Sequence, residues 1–154
     1  MQPRQASFAL LLAGSLAVSA AVAAPADSSA RVETATAPAG TDARLKTALR
    51  ASVAQHLANA GLADSLSGYS LSPSLVQLRR YVEPGQKQAR LVCVVGLALN
   101  SDRGVLADIR GSASTASASA LDAVDAAAQS AVAHLPAVLS RIQAREAGNR
   151  IANR

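Results

Sequence analysis

Residues 91–99, LVCVVGLAL, constrain the fold most, because neither alternate row of this run carries a charged or strongly polar side chain. In an extended chain Leu91, Cys93, Val95, Leu97 and Leu99 fall on one side, and Val92, Val94, Gly96 and Ala98 on the other. A strand apolar on both faces belongs in the middle of a sheet, with cover on at least part of each face. Asn100-Ser101-Asp102-Arg103-Gly104 follows, and its residue types suit a short hairpin loop closed by a bulge. In the returning strand Val105, Ala107 and Ile109 alternate with Leu106, Asp108 and Arg110, so one face turns polar after its first residue. That is an edge-strand pattern, and the two charges discourage edge-to-edge association. Gly111 weakens the strand, so the small-residue run from Ser112 to Ala120 is expected to fray into a loop.

Working outward, Glu83-Pro84-Gly85-Gln86 is a turn that joins the central strand to an earlier one over Leu75–Val82, with Val76, Leu78 and Val82 on its apolar row. Residues 62–74, punctuated by Gly68 and Pro73, read as a connector with a short extended piece at Tyr69–Leu71. Before it, Thr41 or Asp42 can cap a helix whose stripe is Leu45, Leu49, Val53 and Leu57, with Ala48 and Ala60 on the same side and Gly61 ending it. After the hairpin, Ser117 or Ser119 can cap a second helix with the stripe Leu121, Val124, Ala128, Val132 and Leu135. Pro136 should kink or interrupt it, and the stripe resumes at Leu139 and Ile142 to end near Glu146. These elements predict one α+β domain over 42–146, a two-layer sandwich in which a three-stranded antiparallel meander carries two helices on one face, in the order α-β-β-β-α. Residues 24–41 read as a disordered linker and 147–154 as a flexible basic tail.

Met1 to about Ala23 has the three parts of a secretory signal: Arg4, the apolar run Phe8–Val18, and the small-x-small pattern Ala21-Val22-Ala23. An uncleaved membrane anchor is the competing reading, disfavoured because Ala and Ser insert weakly. No cysteine near the cleavage point can accept a lipid, which makes the expected product secreted or periplasmic, with no transmembrane anchor after cleavage. The chain has a single cysteine, Cys93, so no intrachain disulfide supports the fold, and the thiol is expected in the core of the central strand.

Few features point to chemistry. His56 and His134 stand alone, with no acidic or histidine partner at helical spacing, and the serines around Ser112 match no nucleophile elbow. Asp122 and Asp125 are explained by their place near a helix start. No phosphate loop, zinc ligand set or calcium loop is present, so no catalytic, cofactor or metal residues are assigned. Beyond residue 23 the net charge is about +4. Arg79, Arg80, Lys87 and Arg90 cluster around the first hairpin as a candidate patch for an anionic partner, and Arg141, Arg145, Arg150 and Arg154 lie towards the C-terminus. Aromatic residues make up 2% of the chain, which removes the usual stacking platforms and argues against nucleic acid.

The run from Val92 through NSDRG to Arg110-Gly111-Ser112, followed by the Ala-rich helix Asp125-Ala126-Ala127-Ala128-Gln129-Ser130-Ala131-Val132, resembles the strand, turn, strand, helix segment of small bacterial envelope domains. These include periplasmic lipoproteins of the curli-secretion and penicillin-binding-protein-activator type, and domains appended to bacterial HEAT-repeat proteins. The chain departs from them in lacking the lipid-bearing cysteine and helical repeats, and no functional residue is carried over. The expectation is an alanine-rich, exported, non-catalytic binding or scaffold domain, partnered by an envelope protein or an anionic polymer. Two alternatives stand beside it: a small hydrolase using Cys93 or a Ser near residue 112 with a histidine, and an electrostatic binder of anionic envelope polymer.

Overall fold

A computed structural model describes residues 31–82, 84–85, 89–116 and 118–152. The expected signal and the start of the expected linker lie outside them, as does Lys87. The protein is α+β, with one four-stranded sheet in the order β1-β2-β3-β4: β1 is Arg31–Val32, β2 Ser70–Val82, β3 Ala89–Ser101 and β4 Gly104–Thr115. Helix α1 spans Ala43–Asn59, α2 Ala120–Ala133 and α3 Leu135–Ala152.

The meander β2-β3-β4 is antiparallel, with the doubly apolar strand β3 in the centre, as its sequence requires. The expected three strands become four because β1 pairs parallel with β2, Arg31 opposite Ser70 and Val32 opposite Leu71. This arm was expected to be linker, since two residues of ladder are too few for an alternation to show. Ala35 is buried beside it, and Arg50 of α1 donates from Nε to the Val32 carbonyl at 3.3 Å. The ladder is short for a covalent reason. The Glu33 amide donates to the Leu71 carbonyl at 2.9 Å, and a regular parallel ladder would next use the amide of residue 73. Proline has no amide hydrogen, so the ladder skips a step and resumes at Thr36, whose amide donates to the Pro73 carbonyl at 3.0 Å and whose carbonyl accepts from Leu75 at 2.8 Å.

β2 starts five residues earlier than expected and runs through Pro73. Leu71, Pro73 and Leu75 face the helices and are buried. A bulge between Leu75 and Gln77 then leaves Val76 out of register and 44% exposed, which shifts the inward row to Leu78. Gly61, at φ 63°, turns the chain after α1, and a one-turn 3-10 helix at Asp64–Leu66 plants Leu66 in the core.

Both α1 and α2 cover one sheet face. α1 is capped by Asp42, whose carboxylate accepts from the Arg44 amide, and it buries Leu49, Val53 and Leu57. α2, capped by Ser119, buries Ala123, Val124, Ala127, Ala128, Ala131 and Val132. Leu121, expected on the inner stripe, is half exposed. The inner face is centred on small alanines because the helix backbone lies against β4. A β-carbon on Gly111 would come within 2.3 Å of the Ala127 carbonyl oxygen and the Ala131 amide nitrogen. Gly111 is therefore a docking point inside a strand that continues to Thr115, not the start of a fraying end. The helical run does break at Pro136, into α2 and α3, with Pro136 in the first turn of α3 where its missing amide hydrogen costs nothing. Leu135 and Leu139 tie α3 to the core, and the segment expected to be a loose tail is helical to Ala152. No helix among the described residues is long and apolar enough to cross a membrane.

Gly111→Ala is expected to lower the free energy of unfolding by about 3 kcal/mol, the upper end of overpacking costs, because backbone rather than a flexible side chain must move. Gly148→Ala, in open space on α3, should leave stability unchanged or raise it by up to about 1 kcal/mol. Urea titrations of the two variants check the contrast.

Candidate binding surface

With helices on one side only, the other sheet face carries the even positions of β3: Val92, Val94 and Ala98 are half-buried and Gly96 is buried. Cross-strand register builds the face in rows. Ser72, Ala98 and Asp108 form one; Ser74, Gly96 and Arg110 the next; then Gln77, Val94 and Ser112; then Arg79, Val92 and Ser114; and finally Tyr81 and Arg90. The central strand is low at Gly96, which brings no side chain to this face. A β-carbon on Gly96 would lie 2.6 Å from Ser74 Oγ, so that serine occupies the space a side chain there would need.

The ends differ in charge. At one end Glu33, from the arm, accepts hydrogen bonds from Ser72 and from Ser70, the latter at 2.8 Å, and Asn100 Nδ2 donates to Ser72 Oγ at 2.7 Å. The Ser72 and Ser70 hydroxyls hold the Glu33 carboxyl below the usual carboxylate range. Asp108 stands in the same end row and faces Arg110 at 3.7 Å. At the other end are Arg79 and Arg90, with Tyr81 46% exposed between them. The sequence cluster of Arg79, Arg80, Lys87 and Arg90 is thus divided: Arg80 pairs with Leu91 on the opposite, helix-side row, and Lys87 lies outside the described residues. Sequence reading missed the acidic end because Glu33 sits in a stretch with no periodicity.

On the helix side the structure joins residues that the sequence kept apart. Ser52 Oγ donates to Asp125 Oδ1 at 2.7 Å, and His56 Nε2 lies 3.0 Å from the same oxygen. Serine, histidine and aspartate are the residue types of a hydrolase triad, but the wiring is different. Both donors converge on one carboxylate oxygen, so the serine proton points at the aspartate and not at the imidazole that would have to remove it. The cluster is a clamp between α1 and α2. His56 also lines a shallow cleft with Asn59, Ala60, Gln129, Val132 and Ala133. His134 is exposed at the α2–α3 junction.

The two nucleophiles of the hydrolase reading are not brought to a histidine. Cys93 is fully buried under the helices, and burial pushes its thiol up to about 11. Ser112 adjoins Gly111, whose inner side meets α2, so its side chain lies on the face away from both histidine-bearing helices. Among the described residues no group of three or more His, Cys, Asp or Glu could hold a metal ion.

No protein-family model matches the chain, and no curated protein matches it. Solved structures similar to it include the PelC dodecamer from Paraburkholderia phytofirmans, at 21% identity over 72% of this chain and 89% of that one, with a TM-score of 0.46. A minor lipoprotein from Acinetobacter baumannii aligns at 13% identity over 70% and 92%, with a TM-score of 0.43. A "putative lipoprotein" from Caulobacter crescentus aligns at 19% identity over 80% and 92%, with a TM-score of 0.39. At these identities and scores the likenesses carry no function across to this chain.

Two outcomes test the helix side. Asp125→Ala should cost about 1 kcal/mol in a urea titration, the net worth of bonds to a half-exposed carboxylate, because the clamp fixes α1 to α2 without being buried. The Cys93 thiol is favoured neutral in the fold, so its contribution is complete below about pH 9 and is lost as pH rises towards 11. Native protein should therefore label with maleimide only at its unfolding rate. Stability should also fall across that window by about 2 kcal/mol more in the parent than in Cys93→Ala.

Proposed function

We propose that the chain is an exported, non-catalytic binding domain of the bacterial envelope or secreted fraction, and that the helix-free sheet face is its partner surface. The observation that carries this reading is the apolar row Val92, Val94 and Ala98 on the central strand, which no described element covers. Apolar side chains flanked by Arg, Tyr and carboxylate groups have the make-up of an interface with a low centre and a polar rim. Export is supported by the three-part pattern of residues 1–23, and the absence of an acceptor cysteine there favours the secreted or periplasmic product over a lipid-anchored one. The electrostatic alternative, attachment to an anionic polymer, has weaker support, because Arg80 faces away from Arg79 and Arg90 and an acidic end shares the face with them.

Photo-crosslinking in the producing cell tests the surface. A benzophenone side chain at Val94 or Ala98 should give specific adducts, and one at Asn59 or Gln129 on the helix side should give none. Adducts confined to the helix-side positions, or absent from all four, would overturn the assignment of the face.

A further inference from the structure

The open face is self-complementary, and from this we infer that its partner is a second copy of the chain, laid antiparallel across it about a two-fold axis; the inference rests on the face being a binding surface. Consider two copies face to face, with the axis lying between the sheets and crossing the strands. Each strand direction reverses while strand order is kept, so β3 lies over β3 and the ends change places. The centre of β3 is Val95, which puts the Val94 and Gly96 rows over one another where the surface is lowest.

The row of Ser72, Ala98 and Asp108 then meets the row of Arg79, Val92 and Ser114 of the other copy. Glu33, held by Ser70 and Ser72, comes opposite the other copy's Arg79, and Asn100 comes opposite its Arg90. Tyr81, the large aromatic of the face, is set over the other copy's Ser70 and Asn100. Each unlike pair occurs twice. A two-fold axis along the strands, by contrast, would reverse the strand order and stack like end on like end, setting Arg90 over Arg90 and bringing Glu33 to the other copy's Asp108 side. The net charge does not prevent this, because solution ions screen it over about 8 Å at physiological strength while facing pairs act at contact distance.

Area is consistent with a reversible dimer. Three strands about 4.8 Å apart and roughly eleven residues long give a footprint of about 500 Å² per copy, or about 1,000 Å² in all, which is at the threshold of a specific interface. The two sheets would then form an aligned sandwich, with the helices outermost on both sides.

A charge swap tests the pairing. Glu33 and Arg79 of one chain are separated by about 20 Å along β2, too far to bond each other, so any coupling between them must arise between copies. The chain, expressed with its own N-terminus and processed by the cell, should dimerise in sedimentation equilibrium with a dissociation constant in the range of about 1–100 µM. Glu33→Arg and Arg79→Glu should each weaken the dimer about tenfold or more, and the double variant should return to within about threefold of the parent. Circular dichroism melts of the single variants establish that each is folded. A monomer at every concentration, or a dimer whose constant ignores both single changes, would overturn the inference. If the crosslinker at Val94 still captured a different protein while the chain stayed monomeric, the binding face would stand and the second copy would not.

Discussion

The contact on which the rest of the structure depends is that between Gly111 and the backbone of α2. Helices usually stand off a sheet by the length of their side chains; here the Ala127 carbonyl and the Ala131 amide lie 2.3 Å from where a β-carbon on Gly111 would be. That closeness makes the alanine run of α2 useful. Alanine loses no side-chain entropy in a helix and leaves little bulk beneath it, so a helix with Ala123, Ala127 and Ala131 on its inner side can descend until only a glycine fits below. The larger aliphatics then take the positions beside this line. Leu97, Leu99 and Val95 from β3 and Leu49 and Val53 from α1 fill the rest of the core, which needs no large aromatic.

Placing the covering mass over β3 and β4 has a second effect. One layer of helices buries one face, and the other keeps apolar side chains that the central strand carries regardless. Asymmetry of cover, more than any single residue, gives the molecule a candidate interface. The polar residues of that face are arranged by the arm. Glu33 reaches its serines only because β1 lies parallel beside β2, and β1 is as short as it is because Pro73 has no amide to continue the ladder.

The hairpin was legible because β3 is apolar on both rows, β4 alternates, and the turn between them uses residues with few other uses. The caps were legible to one of two residues each, Thr41 or Asp42 and Ser117 or Ser119, and the structure uses Asp42 and Ser119. What stayed hidden depended on partners far along the chain. A two-residue parallel strand has no period, so the arm read as linker. Val76 looked like an inward residue because a bulge moves the register without marking the sequence. Gly111 read as a weak point in a strand, because its reason lies sixteen and twenty residues later, in the backbone of Ala127 and Ala131. Of the candidate surface, Arg79 and Arg90 could be named from the sequence, but their separation from Arg80 and the acidic counterpart at Glu33 needed the pairing register.

A sheet can be met by a partner at its edges or across its face, and both edges of this one are poor templates. At the β1 edge only two residues pair regularly before Pro73 interrupts the ladder, so the outermost backbone there is too short and irregular for an added strand. At the β4 edge, the register shift between Leu99 and Asn100 leaves Leu106 unpaired near the start of the strand, and Asp108 and Arg110 follow as charges on alternate positions. Bulges and charges are devices that stop edges from recruiting strands. Across the face the row of β3 is apolar and is low at Gly96, and apart from Arg110, beside Gly96, the charges stand towards the two ends. The same chain therefore discourages growth along the sheet and leaves its face open to contact.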